Sequence, residues 1–239
     1  MSSDIAKVAA FDAVLIVVMS SISYFTFLWY SSNKFESAWI SVVESLIIVI
    51  VGAAILLRGK YFKEVDLKFI TIPVTFGLLL YAEQWLTSYA PAFVWYTPPM
   101  SWFATALLIY LPEGIIIAAL VALADRPGSM LIAMVPFYIV SMISYFNPIW
   151  TPFYFAWALA GDITLAIGGT SIRAKAIGTA FSMAVADTFL ASQYLLFDFG
   201  VYAPPAINVL TGVENVAFAL IGAAAGYSIG IKARKAWKP

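Results

Sequence analysis

The chain has 239 residues, of which 63% are hydrophobic and only 11% charged, and its mean hydropathy is +0.92. A soluble domain carries about 25% charged residues, so this composition predicts an integral membrane protein of the all-α class. Thirteen basic and thirteen acidic residues cancel, which argues against nucleic acid or another polyanion as partner, and the absence of Cys and His excludes disulfides, thiolate chemistry, axial-His haem and His-ligated zinc or copper.

Apolar runs separated by charge, Pro or Gly predict about eight spans, near residues 5–29, 38–58, 69–89, 100–124, 129–146, 150–169, 175–197 and 206–231. The first run carries Asp12 and lacks a small-residue cleavage site, so it reads as a retained helix. The fifth and sixth are short and joined at Asn147-Pro148, and one of them could be tilted or re-entrant. Lys7, Arg58, Lys60, Lys63, Lys68, Arg126, Arg173, Lys175, Lys232, Arg234, Lys235 and Lys238 all fall on one side of an eight-span arrangement, with Lys34 opposite. The positive-inside rule then makes both termini cytoplasmic, in a multi-pass protein of the plasma membrane. Trp29, Trp39, Trp85, Trp95, Trp102 and Trp150 map to the other side, with Trp157 a turn or two deeper. An interfacial aromatic belt and an aromatic-lined pocket opening outward both account for this asymmetry.

Seven carboxylates fall within spans: Asp12, Glu44, Glu83, Glu113, Asp162, Asp187 and Glu214. No Lys or Arg falls in a span interior, and an intramembrane ionisable group normally pairs with another or faces a water-filled cavity. Asp12, five residues from Lys7, is expected to snorkel or cap at the inner interface. Glu113 stands halfway along a stretch from Pro98 to Arg126 whose helix, Met100 to Ala124, would be about 36 Å long. Polar neighbours such as Gln84, Asn208, Asn215 and Gln193 could hydrogen-bond these acids. Otherwise they would be protonated, or await a cationic ligand. Glu83, Glu113, Asp162, Asp187 and Glu214 are the expected charge partners of a substrate, with Trp95, Trp102 and Trp157 as stacking surfaces and the 87–101 loop as a cover.

Three segments align as hairpin pseudo-repeats within one transmembrane domain spanning 1–239, at 69–126, 129–173 and 175–232. Each runs from an aromatic-x-Pro start through an acid (Glu113, Asp162, Glu214) to a basic finish, as in repeat-built transporters. Any outer-to-inner helix could share that grammar. Small-residue faces at Ala6-x-x-x-Ala10, Ala9-x-x-x-Ala13, Gly161 to Gly168-Gly169 and Gly222-Ala-Ala-Ala-Gly226 allow close helix approach. No Walker A, HExxH, GxSxG, aspartate-rich or GxGD motif is present, so no enzymatic activity and no cofactor are expected.

The run Ala124-Asp-Arg-Pro-Gly-Ser-Met-Leu-Ile-Ala, the later Tyr145-Phe-Asn-Pro148 and the final Ala219-Leu-Ile-Gly-Ala-Ala-Ala-Gly-Tyr resemble the substrate-binding S components of energy-coupling-factor vitamin transporters, the thiamine/hydroxymethylpyrimidine type above all. Ala9-x-x-x-Ala13 is similar to the motif by which such proteins dock on a transmembrane partner. Two departures stand out: S components have about six helices, and apolar residues surround Met134 where that family tends to carry a Glu. The resemblance implies a binder of a small, aromatic or cationic micronutrient that relies on a separate coupling protein and ATPase subunits. Two other readings remain open at this point: a proton-coupled secondary transporter using the same carboxylates, and a non-catalytic scaffold subunit of a membrane complex.

Overall fold

The computed structural model describes residues 2–30, 36–62, 65–87, 89, 100–144, 146, 148–199 and 205–236. Each of the eight apolar runs forms a helix: α1 (Ser2–Tyr30), α2 (Glu36–Gly59), α3 (Leu67–Thr87), α4 (residues 100–124), α5 (Ser129–Ser144), α6 (Thr151–Ile167), α7 (Ile172–Phe199) and α8 (Pro205–Ala236). There is no strand among the described residues. Five helices contain stretches long and apolar enough to cross a membrane: Ser3–Ile22, Val42–Gly59, Leu67–Thr87, Phe103–Ala124 and Val209–Ala236. That is the mark of a multi-pass membrane protein. Exposed aliphatics such as Val17, Ile47, Ile50, Leu57, Leu79, Leu210, Val213 and Ile221 give the bundle an apolar exterior suited to lipid.

Burial separates centre from rim. In α4, 56% of the apolar stretch is buried, against 22–28% in the other four, and α6 is likewise buried along most of its length, so α4 and α6 form the centre of the bundle. It packs on α8, α7 and α3, while α6 joins α2, α5 and α7. The α4–α8 contact is close because small residues face backbone. A side chain at Gly222 or Gly226 would run into the Leu111 and Ile115 carbonyls of α4, and one at Gly114 would meet the Ala219 backbone of α8. On the other flank, Phe137 of α5 stands edge-on to Trp157 of α6 at 5.8 Å, and Trp157 stacks on Phe153 at 6.5 Å.

α4 is not a uniform helix. Met100–Thr105 and Leu111–Ala124 are α-helical, but Ala106–Tyr110 form a π turn, and the Leu111 N–H bonds back to the Ala106 carbonyl. Pro112 is the cause: it has no N–H to give the Leu108 carbonyl, and its ring crowds that carbonyl. The helix widens by one residue there, a deformation that clusters at functional sites.

One end of the bundle gathers the connections the basic residues mark. Arg126, after α4, donates to the Tyr61 carbonyl and lies 4.3 Å over the Phe69 ring. Asp125 closes α4 in a left-handed conformation (φ 31°) and bonds Lys175 Nζ of α7 at 3.0 Å, with Arg234 of α8 at 3.9 Å. At the same end Thr170 N–H donates to Asp4 of α1 at 2.9 Å. Lys175→Met removes the closest of these ion pairs and leaves Asp125 without its main partner. The expected cost is about 1.5–3 kcal/mol, read as a lowered midpoint of thermal unfolding in detergent.

Candidate functional site

Three of the five predicted acids come together where α3, α4 and α7 meet. Glu113 is 3% exposed and lies close enough to Glu83 and Asp187 for the three carboxyls to repel one another. Gln84 Nε2 donates to Glu113 Oε1 at 3.3 Å, while both Glu83 oxygens are buried without a hydrogen-bond partner among the described residues. The Tyr110 hydroxyl, at the end of the π turn, hydrogen-bonds Asp187. Tyr110 in turn accepts from Thr188 Oγ1 at 3.2 Å, and Thr188 accepts from Asn215 Nδ2 of α8 at 3.1 Å. Asn215 is 2% exposed and its Oδ1 has no hydrogen-bond partner among the described residues.

The site is therefore rich in oxygen acceptors and poor in cations. The nearest basic residues along the same helices are Lys68, Arg126 and Lys175, roughly 18–23 Å from the acid on each helix. Water excluded from such a place cannot solvate three carboxyls, and nothing built into these helices neutralises them. A ligand carrying positive charge and N–H donors would satisfy both the charge and the vacant acceptors. Among the described residues no group of three or more Asp or Glu side chains is arranged to hold a metal ion.

No family model, no curated protein and no solved structure matches this chain at a significant level. The site must accordingly be read from its own geometry.

The other predicted residues lie elsewhere. Asp162 stands apart from the trio: its Oδ1 accepts from the Gly128 and Met130 N–H groups at 2.8 and 3.2 Å, and its Oδ2 from Leu131 at 2.9 Å. It caps the start of α5 from α6, towards the end that holds Arg126, and its acceptor sites are spent on backbone. Trp157, 1% exposed, is packed between the rings of Phe137 and Phe153, and its Nε1 has no hydrogen-bond partner among the described residues. Glu214 precedes Asn215 on α8, half-buried, with Oε2 unpartnered among the described residues. The side chain of Trp102, all of Trp95 and most of the 87–101 loop lie outside the described residues. The repeat-related positions Glu113, Asp162 and Glu214 consequently have three different surroundings. Asp12 also departs from expectation. It neither snorkels nor caps, but sits ten residues after the start of α1 at 8% exposure.

Sequence reasoning named Gln84 and Asn215 as polar neighbours and missed Tyr110 and Thr188. Each missed residue left a trace: Tyr110 precedes Glu113 by three residues, on the same helical face but for the π turn, and Thr188 adjoins Asp187.

Proposed function

We propose that this chain is the substrate-binding membrane subunit of a small-molecule uptake transporter. Its ligand is an organic cation with several N–H donors, held by Glu83, Glu113 and Asp187. The observation that carries this reading is the buried Glu113 of α4 beside the half-buried Glu83 of α3 and Asp187 of α7, with no basic side chain beside them among the described residues. A thiamine-like vitamin suits such a site through its delocalised charge and amino group, and the fusion of charge and aromaticity agrees with the resemblance to S components. With both termini on the cytoplasmic side of an eight-span bundle, the trio would lie in the outer half. Energy would come from a separate coupling protein and its ATPase.

Purified protein should be thermally stabilised by thiamine or a close analogue within a panel of vitamins. Glu113→Gln should weaken binding roughly 30-fold or more, the effect of removing one member of a buried charge pair. Flat melting curves across a panel of cationic vitamins and amines would count against the reading. A second reading, a proton-coupled carrier, is favoured by one observation: the chain of exchangeable protons from Asp187 through Tyr110 and Thr188 to Asn215. Liposomes containing this chain alone, driven by a pH gradient, separate the two, because a subunit that needs a coupling module accumulates nothing.

A further inference from the structure

A second buried carboxylate faces a different space. Between α1, α7 and α8 lies a cavity of about 770 Å3, lined by Asp12, Val8, Ile177, Phe181, Leu220 and Tyr227 among others. A second cavity of about 330 Å3 adjoins it, sharing Phe181 and Leu220, so the two form one cleft along α7. The volume is in the range of small-molecule sites. Asp12 is 8% exposed, and its Oδ1 is buried with no hydrogen-bond partner among the described residues. Arg173 lines the rim of the same cavity without pairing with it. Asp4, the other acid of α1, is already engaged by Thr170. None of Glu83, Glu113 and Asp187 is among the residues lining either cavity, although α7, which carries Asp187, borders both.

Depth narrows the occupant. The Asp4–Thr170 bond fixes the start of α1 beside the α6–α7 connection, and Asp12 follows eight residues later, about 12 Å further along the axis. A phospholipid whose headgroup sits at the level of Thr170 and Arg173 would present only acyl chain to Asp12. An acyl chain offers nothing to a carboxylate. A compact molecule entering charge-first offers an ammonium there and apolar surface to the walls.

We infer that the α1–α7–α8 cleft binds a lipophilic amine, its ammonium on the Asp12 carboxylate and its apolar body against Val8, Ile177, Phe181 and Leu220. The test uses the full chain in phosphatidylcholine nanodiscs with 4-phenylbutylamine as probe and 4-phenylbutanol as its neutral counterpart. The amine should raise the unfolding midpoint by several degrees at a concentration where the alcohol does not. Asp12→Asn should weaken the amine at least tenfold and make the pair equivalent. Ile177→Trp, which fills the cleft and keeps the carboxylate, should abolish the response, and it stands as the test should Asp12→Asn fold poorly. Glu113→Gln should leave the response intact. Equal effects of amine and alcohol on the wild-type chain, a response that survives in Ile177→Trp, or one lost in Glu113→Gln would each overturn the assignment. So would no response to the amine at all.

Discussion

Leucine in place of Gly222 or Gly226 should leave little folded protein. Both glycines press against the α4 backbone: a Cβ at 222 would meet the Leu111 carbonyl and come within 3.1 Å of the Ile115 nitrogen, and one at 226 would meet the Ile115 carbonyl and lie 2.8 Å from its carbonyl carbon and its Cα. Backbone cannot rotate aside as a side chain can. The two helices would have to separate, and Gly114, which meets the Ala219 backbone from the other side, would lose its contact as well. Overpacking costs about 1–3 kcal/mol where neighbours can adjust; here they cannot, so the upper end or beyond is expected. The readout is the monodisperse fraction on size-exclusion chromatography together with the unfolding midpoint. Ala225→Leu is the control. It lies on the exposed face of the same helix and should change the midpoint by no more than about 0.5 kcal/mol equivalent. The acid trio depends on this seam too, because Asn215 is carried on α8 and Tyr110 and Glu113 on α4. Gly226→Ala, which adds only the Cβ that meets the Ile115 carbonyl, should therefore reduce ligand stabilisation as well as fold stability.

Hydropathy made the helices legible, since eight apolar runs bounded by charge or Pro each need their backbone hydrogen bonds satisfied within the segment. The ends agree to within about three residues, except that α8 runs on to Ala236, five residues past the limit of its predicted span. The clustering of basic residues was legible for the same reason: Arg126, Lys175 and Arg234 do meet at one end, around Asp125. The π turn was not, because Pro112 within an apolar run signals a disturbance without saying which way the helix adapts. Among the acids, composition could count candidates but not sort them. Glu83, Glu113 and Asp187 meet because α3 and α7 both pack on α4, a tertiary fact that no local pattern encodes. Asp162 has much the same sequence surroundings as Glu113, with small and apolar residues on both sides, yet its partners are backbone groups more than thirty residues away. Asp12 looked interfacial because Lys7 is near in sequence. The packing of α1 on α7, with Val8 against Gly178, is what buries it.

Asp162→Ala should be among the most damaging single changes in the core, and Asp162→Asn should fall between it and wild type. The residue is fully buried and accepts three backbone N–H bonds, from Gly128, Met130 and Leu131. These are among the donors that the first turn of any helix leaves without an intrahelical acceptor, and here no side chain at the start of α5 itself supplies all of them. Alanine would strand all three away from water. An unsatisfied buried donor costs about 1–3 kcal/mol; losses that share one acceptor do not add in full, so the expected total is about 3–5 kcal/mol. Asparagine separates the roles of charge and shape. With its amide oxygen in the Oδ1 position it keeps the bonds to Gly128 and Met130 but turns an NH2 towards the Leu131 donor, so roughly half the loss should remain. The pattern also tells a cap from a ligand contact. If Asp162 serves α5, Asp162→Asn lowers the unfolding midpoint while the further rise produced by thiamine is unchanged, whereas Glu113→Gln does the reverse. A variant at 162 that unfolds like wild type but no longer responds to the ligand would move this residue back among the charge partners and detach its three hydrogen bonds from any structural role.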